Sequence, residues 1–183
     1  MLLRKLILPG VGIVLALLDI SLAQSPTSPS KIFDQQGLTF EYAGNWDLGG
    51  QPTGDVQQLV LVEKALDAQI MIIAPRALIT SAKEEESATQ SVIEPTIKRL
   101  IKQYDDAGIA IQRSEVVGDV AGLAAHGVQL RFSVDGQQGF TDIYWLVLNQ
   151  RLVQLIFVRP EKTLAQSISC WDLIRRTLKI HKV

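Results

Sequence analysis

Apolar and polar residues alternate most regularly in the second half of the chain. Val128, Leu130, Phe132 and Val134 are separated by Gln129, Arg131 and Ser133, the two-residue period of a half-buried strand. Leu38, Phe40 and Tyr42 alternate in the same way with Thr39 and Glu41. Lys31 to Tyr42 is therefore predicted as strand, broken at Gly37. Val56 to Glu63 and Ala68 to Ala74 are predicted as a hairpin joined around Lys64 to Asp67. Ile70 to Ile73 is apolar at every position, which predicts cover on both faces. Ile111 to Val120, Ala124 to Val134, Gly139 to Leu148 and Leu152 to Arg159 complete the strands. Asp135-Gly136 and Asn149-Gln150 are the tight turns between the last three. Leu152 to Val158 is apolar apart from Gln154 and predicts a central strand buried on both faces. Ala43 to Gly54, with its glycines, Pro52, Asn45 and Asp47, is turn-rich, and Trp46 sits within it.

Two stretches follow a helical period instead. In Thr80 to Asp106, the residues Ile93, Ile97, Leu100, Ile101 and Tyr104 share one face. Ser81 and Glu84 have capping-box spacing, and Glu84 to Glu86 suits the positive end of the helix dipole. Pro95 either kinks this helix or sits in the first turn of a second one, and Gly108 ends it. In Glu161 to Leu178, the residues Leu164, Ile168, Trp171, Ile174 and Leu178 recur every three or four positions, with Arg175, Arg176 and Lys179 near the negative end. The fold class predicted is α+β: a mainly antiparallel sheet of six to seven strands packed with two main helices.

The first residues follow neither period. Arg4 and Lys5 precede an apolar run of about a dozen residues, Leu6 to Leu18, short of the ~20 a membrane span needs. Pro9, Gly10 and Gly12 weaken a permanent helix there, and Asp19 disfavours residence in a bilayer. Ser21 and Ala23 place small residues where a signal peptidase reads them. We therefore expect residues 1–23 to be a signal peptide cleaved between Ala23 and Gln24, with a retained anchor as the alternative. Gln24 to Ser30, rich in Ser, Pro and Thr, is expected to be a flexible leader, and residues 31–183 a single domain. The expected location is periplasmic or secreted, with no stable membrane span after cleavage.

Composition narrows the partners. Cleavage reduces 18 Lys and Arg to 16 and 19 Asp and Glu to 18, so the mature chain is near neutral. That argues against a nucleic-acid partner, which would select a clustered basic surface. Cys170, the single cysteine, cannot form an internal disulfide, so stability must come from the core. Its place in an amphipathic helix next to Trp171 suits a small core residue.

Three stretches then resemble the PsbP/Mog1-like fold family, which includes bacterial PsbP-related exported proteins. They are Gly37 to Trp46, a strand with aromatic residues followed by a turn ending in Trp; Arg151 to Pro160, a strand ending in Arg-Pro before a helix; and the closing helix with Trp171 one turn before Ile174-Arg175. Ala43 stands where that family often has Pro. The resemblance covers about residues 31–180. It implies an α/β/α sandwich and non-enzymatic roles: accessory or assembly subunits of photosystems, small-GTPase binders, or envelope proteins.

Candidate chemistry is sparse. No phosphate-loop, dinucleotide-binding, zinc-protease, Cys-x-x-Cys or Gly-x-Ser-x-Gly motif occurs. With only His126 and His181 and one cysteine, neither a metal site nor a cofactor is expected, and no catalytic residue is assigned. Trp46, His126 and Trp145 are the surface or groove candidates, and Asp142 is expected to pair with Arg131 on the neighbouring strand. The reading that follows is an exported, non-catalytic binding or assembly module of the cell envelope, whose partner is an envelope protein or a small ligand. Its rivals are a carrier of a small apolar ligand, which requires an internal cavity, and a small hydrolase, which requires His126 beside an acid and a hydroxyl nucleophile.

Overall fold

The computed structural model describes residues 29–181. The predicted signal peptide, the Ala23–Gln24 cleavage point and most of the predicted leader lie outside the described residues. Ser30, assigned to the leader from sequence, instead opens the first strand.

Among the described residues, ten strands form two sheets. β1 (Ser30–Gln35), β2 (Leu38–Ala43) and β10 (Lys179–Ile180) make a three-stranded antiparallel sheet in the order β1-β2-β10. The remaining strands are β3 (Asp47–Gln51), β4 (Val56–Glu63), β5 (Ala68–Pro75), β6 (Ile111–Val120), β7 (Leu123–Val134), β8 (Gln137–Leu148) and β9 (Arg151–Pro160). They form a seven-stranded antiparallel sheet in the order β3-β4-β5-β9-β8-β7-β6. The fold is thus α+β, as expected, but the sheet's membership differs. The Lys31 to Tyr42 stretch folds into its own small sheet, and its place in the large one is taken by β3, from the stretch read as turns. β3 was hidden by Gly49 and Gly50. Gly50 has φ +117°, and a Cβ there would run into the Gln58 carbonyl oxygen, so close pairing with β4 requires glycine.

β9 is the middle strand of seven, which is why its two faces are both apolar and both buried. One face of the sheet is covered by α1 (Ala82–Ala88), a π turn (Thr89–Ile93) and α2 (Glu94–Asp106). Ile93, Ile97, Leu100 and Tyr104 pack there against Val60, Met71, Val128, Leu130, Ile143 and Ile156. Of the two outcomes expected at Pro95, the second holds: α2 begins at Glu94 with Pro95 in its first turn. Pro95 cannot donate to the preceding turn, and the backbone widens just before it, with the Glu94 N–H reaching back to the Thr89 carbonyl. Ser81 caps α1 as expected, accepting from the Glu84 N–H at 3.3 Å. Glu84 reaches past it to Thr80, accepting from both its N–H and its hydroxyl at 2.6 and 2.8 Å.

The other face is covered by α3 (Leu164–Thr177) together with the small sheet. Phe33, Leu38, Phe40 and Tyr42 of the small sheet and Cys170, Trp171 and Ile174 of α3 join Leu59, Ile70, Leu155 and Phe157 in one core. α3 is tied to β2 by the Glu41 N–H donating to the Thr177 hydroxyl at 2.9 Å.

Under α2, the hydroxyls of Tyr104 and Thr141 share a hydrogen bond of 2.8 Å. Burial pushes the Tyr104 hydroxyl up to about 12 from an ordinary 10, while Thr141 pulls it slightly back. The folded state therefore holds this proton more tightly than the unfolded one. The resulting stabilisation is complete below about pH 10 and is lost as pH rises through about 12. Tyrosinate absorbance is expected to show Tyr104 ionising last, together with unfolding, and Tyr104→Phe is expected to remove that late step. A late step that persists in Tyr104→Phe would assign it to another residue.

Candidate functional site

Residues paired across an antiparallel sheet share a face, so its registers can be read as rows. One row on the α2 side runs Val117, His126, Trp145, Gln154 and Ile73 across β6, β7, β8, β9 and β5. Helical cover is fullest over β9 and falls away towards β6. Gln154 is fully buried, Trp145 is half-buried, His126 is exposed, and Val117 is 79% exposed. The His126 and Trp145 rings stack at 6.0 Å between centroids with 25° between their planes. Two of the three sequence candidates therefore meet, and they meet because the Asp135-Gly136 turn places His126 opposite Trp145.

The third candidate does not join them. Trp46 is 2% exposed and belongs to the core on the α3 side, where a turn drives its indole inwards between the two sheets. It is a packing residue rather than the wall of a groove.

The row offers a flat aromatic surface, a branched apolar side chain and an imidazole. His126 makes no side-chain hydrogen bond among the described residues, so neither an acid nor a hydroxyl nucleophile is held at it. Gln154 is the fully buried member of the row, and neither its Nε2 nor its Oε1 has a hydrogen-bond partner among the described residues. Sequence pattern flagged Gln154 only as the polar break in β9. Val117 was not singled out, because its exposure depends on where the helices stop.

A second polar group lies on the opposite face. Asp142 pairs with Arg159, with Nη1 2.7 Å from Oδ2 but out of line for an N–H···O bond, and both side chains are 7% exposed. Gln129 Nε2 donates to Asp142 Oδ1 at 2.7 Å. The Arg159 guanidinium lies over the Phe157 and Phe140 rings at 4.8 and 5.2 Å. The expected Asp142–Arg131 pair does not form. Arg131 instead lies over Phe140 at 5.7 Å from its ring centre and approaches Gln138 at the exposed surface. Arg131 and Arg159 are both cross-strand diagonals of Asp142, and the one on the buried central strand takes the acid because its charge has no water to turn to.

Next to this group, the Tyr144 ring lies over Gly127 and Gly118, where a Cβ would approach it to 2.5 Å. Trp171 stacks on Tyr144 at 5.9 Å, and Arg175 lies over it. Burial, followed by the charge of Asp142, raises the Tyr144 hydroxyl. Cys170 is 1% exposed and accepts from the Ala43 N–H at 3.5 Å. Burial pushes its thiol up to about 11, the opposite of what a nucleophilic cysteine requires. Among the described residues no group of three or more His, Cys, Asp and Glu is placed to hold a metal ion, and no helix is long and apolar enough to cross a membrane.

No protein-family model matches the chain, and no curated protein matches it. Solved structures do. The chain is similar to the solution structure of cyanobacterial PsbP (CyanoP) from Synechocystis sp. PCC 6803, with a TM-score of 0.52 and 12% identity over 88% of this chain and 98% of that one. It is also similar to a crystal structure from Bacteroides thetaiotaomicron VPI-5482, with a TM-score of 0.50 and 11% identity over 86% of this chain and half of that one. At such identities the likeness is one of fold, and the fold is PsbP-like.

Proposed function

We propose that the chain is an exported, non-catalytic binding module of the cell envelope that engages a polypeptide partner through the Val117–His126–Trp145 row. The observation that carries this reading is the row itself. A valine 79% exposed stands beside a stacked imidazole–indole pair on the edge strand of the large sheet. An exposed apolar side chain next to a partly exposed aromatic stack is the kind of surface a partner can cover. The edge strand offers unpaired backbone groups alongside it, and Arg113, Glu115 and Asp119 on β6 discourage indiscriminate pairing. Export rests on the leader, with Arg4 and Lys5, the run from Leu6 to Leu18, and Ser21 and Ala23 before the cleavage point.

The test is a photo-crosslinking residue at Val117 in the full-length chain expressed with its own leader. The expected result is a discrete adduct with an envelope protein, carried by a product whose mass begins at Gln24. The same residue at exposed Lys98 on α2 should give none. His126→Asp, at an exposed position, is expected to abolish the adduct without moving the melting temperature. Equal labelling at positions 117 and 98, or none at either, would remove the row as the binding surface.

A further inference from the structure

β9 carries two buried arginines, and their surroundings differ. Arg159 has a carboxylate and two aromatic ring faces. Arg151, 3% exposed, has no ion pair among the described residues. Its Nε donates to the Pro75 carbonyl at 3.1 Å, and its Nη2 donates to the Ala74 carbonyl and to Gln57 Oε1 at 3.0 and 2.7 Å. Those contacts occupy one side of the guanidinium. Nη1, with two N–H donors, is buried and has no partner.

A like charge lies near Arg151. Arg76 follows directly on the carbonyls that Arg151 grips, and its Nε is also buried without a partner. Arg151 through Gln57, and Arg76 directly, are linked to consecutive residues where β1 ends and its turn begins. Gln57, held by Arg151, donates to the Gln35 carbonyl at 3.2 Å, and Arg76 Nη2 donates to Gln36 Oε1 at 3.0 Å. Burial and the charge of Arg76 both lower the pKa of Arg151, so its surroundings work against its charge. The acids at this end do not neutralise the arginines. Asp34 accepts from the Thr39 hydroxyl, and Asp55 contributes its backbone carbonyl to the Arg76 N–H. Neither carboxylate forms an ion pair with either arginine.

Structural stitching accounts for Nε and Nη2 of Arg151 but not for Nη1, nor for a second guanidinium brought beside it. A buried cation with an unpaired donor is costly, and natural folds pair or ligate such groups. We infer that Arg151 and Arg76 form a binding site for a doubly charged oxyanion, a phosphate group or a dicarboxylate, held by Arg151 Nη1 and Arg76 Nε. Planar guanidinium donors match oxyanion geometry, and two uncompensated positive charges match a dianion. This site lies at the turn end of the fold and is independent of the Val117–His126–Trp145 row.

The test titrates the full mature chain with inorganic phosphate and, separately, with succinate, at constant ionic strength set by chloride. Calorimetry and thermal melts are the readouts. Saturable binding of one of them, with a raised melting temperature, is the expected result, and whichever anion binds identifies the source. Arg76→Gln is expected to weaken that binding by about tenfold or more, the scale of a charge-assisted hydrogen bond, while the melting temperature of the anion-free protein does not fall, because a like charge beside Arg151 is removed. Arg113→Gln, which removes an exposed cation from β6, should leave binding intact. Arg151→Gln also removes three structural hydrogen bonds, so Arg76→Gln is the deciding variant. If neither anion binds at millimolar concentration, or if Arg76→Gln and Arg113→Gln bind like the parent, the site does not exist.

Discussion

Asp142→Ala is expected to lower the free energy of unfolding by about 3–5 kcal/mol, the usual result of removing one partner from a buried ion pair. The loss comes from what is left behind. Arg159 would keep its charge with only two ring faces to meet it, and Gln129 Nε2 would lose its acceptor. Urea denaturation at unchanged slope measures the effect. A companion variant separates this cause from lost packing. Replacing the pair together, Asp142→Leu with Arg159→Met, removes the desolvation cost along with the attraction and is expected to recover most of the loss. Asp106→Ala breaks an exposed pair with Lys102 and is expected to cost less than about 0.5 kcal/mol. A double variant as unstable as Asp142→Ala would show that the charges are not the cause.

The contrast between the arginines of β9 also shows what could be read from sequence. The apolar run from Leu152 to Val158 was sufficient to place β9 at the centre, since such a run is soluble only when both faces are covered. The hairpin turns at Asp135-Gly136 and Asn149-Gln150 then fix the registers that bring His126 to Trp145 and place Arg131 and Arg159 on either side of Asp142. Pattern could not choose between those two arginines, because burial decides the choice and burial depends on which strand is central. The same limit hid Trp46. An aromatic residue in a turn-rich stretch has no periodicity, and its inward direction follows from a small sheet whose separate existence no local signal announces. β3 was missed for the opposite reason. Its glycines suggest a loop, yet Gly50 is required by close pairing with β4. The Arg151–Arg76 site was beyond reach because it joins residues from β4, β5, β9 and the β1–β2 turn, and only tertiary structure brings these together.

Trp171→Ala is expected to be as damaging as the loss of Asp142, by about 3–5 kcal/mol, the range for truncating a buried aromatic residue. Trp171 is 2% exposed and stacks on Phe157 at 5.1 Å and on Tyr144 at 5.9 Å. It holds α3 against the large sheet, while Cys170 and Thr177 of the same helix hold β2. Its removal should therefore loosen the helix and the small sheet together rather than leave a local cavity. The Cys170 thiol reports this directly. In the parent protein burial keeps it protonated and shielded, so its reaction with a thiol reagent should be slow and should follow global unfolding. In Trp171→Ala the reaction should speed up by more than the change in global stability accounts for, because α3 opens before the large sheet does. Trp171→Phe keeps a ring in the stack and should lie between the two. Thiol reactivity that simply tracked global stability across the three proteins would mean that α3 and the two sheets unfold as one unit. Faster labelling in Trp171→Ala would make α3 the separable element on which the small sheet depends.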